Sequence, residues 1–233
     1  MNSHRMSYMN SSMTIALHTT AEQIGRLREL QNAFAEVCNA LAPVVQETRC
    51  WNRVALHHLA YRSLRERFPN MGSQMVCNAI YSVSRMCRIV FQHPGSPWNV
   101  AKLGERPLPR LQFSSTAPVY FDRHTLSIKN NRLSMYTLDG RMHFDLNLSD
   151  SNEAQFHQGK LREVVLARNA EAYVLTFHFS PTEDPADGMS PSAQMPSGEL
   201  PEYLIILDSQ EAGNPPLGMP LTPNSQLPAA ALG

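Results

Sequence analysis

Residues 121–146 read FDRHTLSIKNNRLSMYTLDGRMHFDL, and this stretch decides the fold class. Apolar and polar residues alternate in the runs Thr125–Lys129, Arg132–Leu138 and Met142–Leu146, as in half-exposed β-strands. The runs are separated by Asn130-Asn131 and Asp139-Gly140, pairs that favour the two-residue turns of β-hairpins. The stretch therefore predicts consecutive antiparallel strands.

Further strand-like runs lie on both sides of this stretch. They are Met13–His18, Val119–Phe121, Lys160–Ala167, Ala172–Phe179 and Tyr203–Leu207. Most of them fall between residues 106 and 180, where they predict an antiparallel, barrel-like region of about six strands.

Three helices are predicted between the first strand and the others. Thr19 or Thr20 caps the first helix, and Pro43 closes or kinks it. The second runs from about Trp51 to Phe68, and its expected apolar stripe is Val54, Leu56, Leu59, Ala60 and Leu64. Ser73 is expected to cap the third, whose expected inner side is Val76, Ala79, Ile80, Val83, Cys87 and Val90.

The fold class is thus α+β, with a helical bundle inserted into a β-region. We expect a disordered leader at residues 1–12, the β-region at 13–19 and 106–180, and the helical bundle at 20–105. Residues 181–233 are rich in proline and acids and are expected to be a disordered tail with one possible strand at 203–207.

The charges of the chain are segregated along its length. All 20 basic residues lie between Arg5 and Arg168, and 17 of them are arginine. Up to Ser180 the formal balance is +7, and the remaining stretch carries 7 acids and no base. A basic body of this kind indicates a polyanionic partner, although a genome that favours arginine would also raise the arginine share.

The sequence offers no pattern typical of an enzyme, a metal site or a membrane span. No apolar run approaches the length of a transmembrane helix, and the 4 cysteines lack disulfide or zinc spacing. No P-loop, nucleotide-binding glycine fingerprint, nucleophile elbow or zinc-protease motif occurs. We therefore expect a cytoplasmic protein with reduced thiols and no cofactor.

In order and spacing, these pieces resemble one known family. The opening strand and Thr20-Ala-Glu-Gln-Ile24, then Phe121–Ile128 and Leu133–Arg141, are similar to segments of TnpB. TnpB is the RNA-guided nuclease of insertion sequences, related to type V CRISPR effectors. Gly159–Arg168 with Ala172–Phe177 resembles the hairpin that precedes its catalytic domain. The resemblance covers roughly residues 13–180.

The resemblance implies a wedge-type, OB-like β-barrel interrupted by a helical recognition bundle. In that family these parts hold a structured guide RNA and the RNA–DNA heteroduplex formed with target DNA, mainly through backbone phosphates. Exposed aromatic residues would stack on unpaired bases. The candidate contacts are Arg53, Arg62, Arg65, Arg85, Arg88, Arg110, Arg123, Lys129 and Arg141, with the aromatics Tyr120 and Tyr136.

The chain departs from the family where catalysis would begin. The family's nuclease domain holds two metal ions with three widely spaced acids. Here Tyr203–Leu207 is followed by Asp208, which is either a relic of the first of these acids or simply an acid after a strand. A lone carboxylate cannot assemble a two-metal site, so we expect this chain not to cleave nucleic acid.

Two classes of function remain open. The first is a nuclease-deficient, TnpB-like protein that binds guide-type RNA, with catalysis or effector activity supplied by another subunit. The second is a protein-interaction scaffold without RNA binding. A truncated, transposon-derived remnant is a third, non-functional possibility.

Overall fold

The computed structural model describes residues 11–146, 148, 156, 160–170, 172–180 and 200–207. Its helices are α1 Ala21–Thr48, α2 Arg53–Arg67, α3 Ser73–Cys87 and α4 Val100–Leu103, and a π-helical turn at Arg88–Gln92 continues α3. The strands are β1 Ser11–Ala16, β2 Arg110–Phe113, β3 Val119–Phe121, β4 Leu126–Lys129, β5 Arg132–Thr137, β6 Gly140–Asp145, β7 Lys160–Arg168, β8 Tyr173–Ser180 and β9 Leu204–Leu207. The predicted α+β class is confirmed.

The strands form three antiparallel sheets. Sheet A has the order β1-β8-β7-β3, sheet B pairs β2 with β9, and sheet C has the order β4-β5-β6. Among the described residues the expected single barrel-like array is thus divided, and no closed barrel is found. One division falls at Asp122, whose carboxylate accepts the backbone N–H groups of His124 and Thr125 and turns the chain between β3 and β4.

The boundaries of the expected leader and tail shift toward the folded body. β1 begins at Ser11, so the last two residues assigned to the leader belong to sheet A. The strand expected at 203–207 is confirmed as β9, and its Leu204 is buried against the core. Residues 1–10, 181–199 and 208–233, including Asp208, lie outside the described residues.

α1 begins as predicted, and of the two alternatives expected at Pro43 it does not end there. Thr20 caps it and exchanges two hydrogen bonds with Gln23, which completes a capping box. The helix does not close at Pro43 but continues to Thr48. Buried Leu41 and Val45 hold the chain on both sides of the proline, and this packing outweighs the missing backbone hydrogen bond.

α2 has a narrower buried side than the sequence predicts. Leu56, Ala60 and Leu64 are buried, whereas Val54 and Leu59 are 62% and 55% exposed. α2 contacts α1 and α3 through its buried residues, and the expected five-residue stripe is wrong for Val54 and Leu59.

α3 is buried almost all round and crosses the centre of the fold. Its predicted inner residues are all buried, as is Val90 in the π-helical turn. Its N-cap is Gly72, which has no side chain, and Ser73 is the first helical residue rather than the cap.

Three amide side chains of α1 form hydrogen bonds with the backbone of the segment that contains β2. The Gln31 side chain donates to the carbonyl oxygen of Ala117, the Asn39 side chain bonds both backbone groups of Phe113, and Gln46 donates to the carbonyl oxygen of Leu108. These bonds give partners to backbone groups of Phe113 in β2 and of residues just before and after that strand. They fix β2 and therefore the position of sheet B against α1.

Within the residues that the structure describes, no helix combines the length and the apolar character needed to cross a bilayer.

Candidate nucleic-acid interface

The outward face of sheet C carries most of its charged side chains. Alternation along β4, β5 and β6 buries Leu133, Met135 and Phe144 and turns the intervening residues outward. We call the outward set the basic sheet face; it comprises Ser127, Lys129, Arg132, Ser134, Tyr136, Arg141, His143 and Asp145. Three of its members are cations and one is an acid.

The guanidinium of Arg141 is oriented by neutral acceptors. Its Nε donates to Ser134 Oγ at 2.8 Å, and its Nη2 donates to the carbonyl oxygen of Ser134 at 3.0 Å. A longer bond of 3.5 Å reaches Ser127 Oγ. These bonds hold Arg141 flat against the sheet without cancelling its charge, which suits contact with a phosphate.

Arg132 is a member of this face that the sequence analysis missed. It pairs directly with Lys129 across the Asn130-Asn131 turn, where both asparagines have positive φ. The two-residue turn predicted from the sequence implies this pairing, so the signal was present but unused. Arg132 also lies opposite Asp145 of β6, so one acid offsets part of the positive charge of this pair.

Tyr136 links the basic sheet face to the helices. Its hydroxyl accepts the backbone N–H of Gly72 at 2.8 Å and donates to the carbonyl oxygen of Asn70 at 3.0 Å. Tyr136 was expected to be exposed but is half-buried, and its hydroxyl ties sheet C to the α2–α3 turn.

The α2 arginines differ in their exposure and in the groups that they contact. Arg62 is exposed and pairs with Glu66 one turn later, at 3.2 Å. Arg65 is half-buried and donates to the carbonyl oxygen of Met71. Arg53 lies over the ring of Tyr81 on α3, with its guanidinium carbon 5.3 Å from the ring centre. Arg65 therefore lies beside the turn that Tyr136 joins to sheet C.

The other expected cations lie in separate places. Arg123 is exposed in the turn before β4 and follows Asp122, which accepts a hydrogen bond from Gln74 of α3. Arg110 is exposed on β2 in sheet B, and Arg88 is half-buried in the π-helical turn. Arg123 lies a few residues before the first strand of sheet C, whereas Arg110 and Arg88 belong to elements outside that sheet.

Arg85 is buried, which corrects its assignment as a nucleic-acid contact. Its Nη1 lies 3.1 Å from Glu163 Oε1 on β7, and each side chain is 8% exposed. Burial opposes the charged form, but Tyr120 and Glu163 outweigh it, so the pKa of Arg85 is raised. The residue joins α3 to sheet A and does not reach solvent.

Tyr120 is also buried, so it cannot stack on a base as expected. It is 5% exposed, and its hydroxyl accepts a 3.3 Å bond from Arg85. All three residues of β3 are buried, and the strand contacts α3 and α1 as well as its neighbour β7 in sheet A. Burial raises the pKa of the Tyr120 phenol, which stays protonated.

The polar cluster around Arg85 extends into sheet A. Tyr81 donates to the second Glu163 oxygen at 2.9 Å, and His178 lies opposite Glu163 on β8. Partial burial lowers the pKa of His178, against the opposing effect of Glu163. The cluster has acid and base groups, but its contacts are those of a structural ion pair.

The described residues contain no group of three or more His, Cys, Asp or Glu side chains arranged to hold a metal ion. No family model matches the chain, and no curated protein matches it.

Proposed function

We propose that this chain is a nuclease-deficient, TnpB-like protein that binds structured RNA, or an RNA–DNA heteroduplex, through an exposed basic surface. Guide-type RNA is its principal ligand, and target DNA is engaged by pairing with that RNA. Catalysis or an effector activity comes from a separate subunit, and the chain needs no cofactor.

The order of its elements supports this proposal. A first strand, the helices and then antiparallel strands follow one another as in the recognition half of TnpB. We propose that the three sheets together serve as the wedge-type, OB-like β-region of that family, with α1–α4 as the recognition bundle.

The observation that carries the proposal is the basic sheet face and its neighbours. Lys129, Arg132 and Arg141 share one side of sheet C, and Tyr136 joins that side to the turn that Arg65 contacts. Cations on a firm, polar platform attract phosphates and release their counterions. The orientation of Arg141 by neutral acceptors adds geometric preference for a phosphate oxygen.

The proposal is tested by the affinity of the purified full chain for a structured RNA across a salt series. Replacing Lys129 and Arg132 with glutamine removes two exposed charges without touching the core. We expect weaker binding and a salt dependence whose log–log slope falls by about one for each phosphate that the variant no longer binds. Arg28→Gln, which removes an exposed charge on α1, serves as the matched control and should leave the slope unchanged.

Wild-type protein that purifies without RNA and shows no salt-dependent binding would exclude this function. If the salt dependence of RNA affinity has the same log–log slope in the double variant and in the Arg28 control, the interface lies elsewhere than on sheet C.

A protein-interaction scaffold is the second candidate function. Val54, Leu59 and Ile205 are large apolar side chains that remain exposed. Solvent-facing apolar residues occur on many proteins, and only a contiguous patch marks an interface. A protein partner that binds an RNA-free chain with high affinity would favour this function.

A further inference from the structure

Four side chains follow one ridge of α2. They are spaced four residues apart, which places them along one inclined row of the helix surface: Arg53, His57, Tyr61 and Arg65. All four are half-buried. The rings of His57 and Tyr61 are stacked, with centroids 4.5 Å apart and planes inclined by 18°. We call this row the α2 ridge; at 1.5 Å per residue it is about 18 Å long.

The α2 ridge borders the groove between α2 and α3. Arg53 lies over the Tyr81 ring of α3. Burial raises the pKa of the Cys77 thiol on α3, while the positive charges of Arg53 and Arg65 act in the opposite direction. Both ends of the ridge thus lie within electrostatic reach of one half-buried thiol on the facing helix.

The charge along this groove favours an anion. Asp122 is an opposing carboxylate near Cys77. Its oxygens accept hydrogen bonds from the Gln74 side chain and from the backbone and hydroxyl of Thr125, which hold the carboxylate in place. Against its single negative charge, Arg53 and Arg65 carry two positive charges. The two arginines hold fixed positive charge at the ends, and the stacked rings occupy the middle.

We propose that the α2 ridge binds a single-stranded segment of RNA, with a base stacked on the His57–Tyr61 pair and phosphates against Arg53 and Arg65. The inference rests on the proposed RNA binding and assigns a distinct part of the ligand to this groove. Bases in a duplex are stacked on one another, whereas those of a single strand are available to aromatic rings. The His57 and Tyr61 rings in the middle of the ridge offer a stacking surface for a base. An acidic peptide has no base to stack there, so the rings favour RNA over such a peptide.

The test measures the affinity of the full chain for a labelled oligouridylate and, separately, for a blunt RNA duplex. Tyr61→Leu removes the aromatic face but keeps an apolar side chain against the core. We expect it to weaken oligouridylate binding roughly 5- to 100-fold, the range of base–aromatic stacking, and to leave duplex binding unchanged. Tyr61→Phe should retain wild-type affinity, and Arg28→Gln again serves as the charge control.

Alkylation of Cys77 gives a second measurement at the same place. Saturating oligouridylate should slow the modification of Cys77 in the wild-type protein, as followed by peptide mass spectrometry. This protection should disappear in Tyr61→Leu at the same oligonucleotide concentration. The alkylation of Cys77 and the oligouridylate affinity would then both place the bound oligonucleotide in the same groove.

The outcomes separate the site from the function. If structured RNA binds but Tyr61→Leu matches wild type on oligouridylate, the ridge is not a stacking site and the proposed function stands. If polyglutamate displaces the oligonucleotide at equal charge concentration, the groove recognises charge alone and the inference is overturned. If wild-type protein binds no RNA, the proposed function fails, and the site fails with it.

Discussion

Arg85 and Glu163 show how a charged residue can be part of a core. Bringing two ions out of water is costly, and their attraction repays that cost only with good geometry and further hydrogen bonds. Here Tyr81 donates to Glu163 and Tyr120 accepts from Arg85, so the pair is embedded in a polar network. Such a pair stabilises chiefly as a unit, because removing one partner leaves the other charge buried alone.

Glu163→Gln is expected to lower the free energy of unfolding by about 3 kcal/mol, the loss typical of breaking a buried ion pair. The double variant Arg85→Met with Glu163→Leu should recover much of that loss, since it buries no unpaired charge. Both values are measured by urea unfolding. A double variant no more stable than Glu163→Gln would contradict this expectation.

The roles of Arg85 and Tyr120 could not be predicted from the sequence. An arginine on a helix and a tyrosine in a period-two run ordinarily face solvent. Their burial depends on β7, because Glu163 lies 78 residues beyond Arg85 and leaves no local signal. Arg62 and Lys129, which the sequence placed on the surface, are exposed.

At the scale of elements, local signals predicted well and distant pairings did not. The Asn130-Asn131 turn appears where predicted, with positive φ at both asparagines. The turn predicted at Asp139-Gly140 lies one residue earlier, at Leu138-Asp139, and Gly140 is the first residue of β6, with positive φ. β2 was not predicted as a strand. Its partners are β9, from a distant part of the chain, and the Asn39 amide on α1.

Replacing Asn39 with alanine tests how much this amide contributes. The change removes the bonds from Asn39 Nδ2 to the Phe113 oxygen, at 2.9 Å, and from the Phe113 N–H to Asn39 Oδ1, at 2.7 Å. Because two backbone groups lose their partner, we expect a loss of about 1–3 kcal/mol in stability.

Asn32→Ala on the same helix is the matched control, since Asn32 is exposed. Alanine has the higher helix propensity, so this variant should be neutral or slightly stabilised. Equal thermal unfolding of the two variants would show that the Asn39 bonds do not anchor β2.

At the scale of the whole molecule, the zero formal net charge conceals two opposed regions. The described body carries the exposed arginines, whereas 4 acids lie between residues 181 and 199, outside the described residues. Charges tethered to the body repel a polyanion that approaches it, and salt screens this repulsion.

Neutralising Glu183, Asp184, Asp187 and Glu199 as amides is therefore expected to tighten binding of a random-sequence RNA at low salt. The gain should shrink as the ionic strength rises. It is measured by fluorescence anisotropy over a salt series, with Ser190→Ala and Ser192→Ala as a variant of unchanged charge. Identical affinities at low salt would mean that these acids do not influence the interface.

The pairing of β1 with β8 has a consequence for biosynthesis. β1 pairs with β8, and the hydroxyls of Thr14 and Thr176 lie 3.1 Å apart across this pairing. These two residues are 162 positions apart in the chain. At ribosomal rates of about 5–20 residues per second, the first strand emerges on the order of ten seconds before its partner exists. Sheet A therefore closes only after the helices and sheet C have been synthesised, and a nascent chain stalled before β8 presents an unsatisfied strand edge to chaperones.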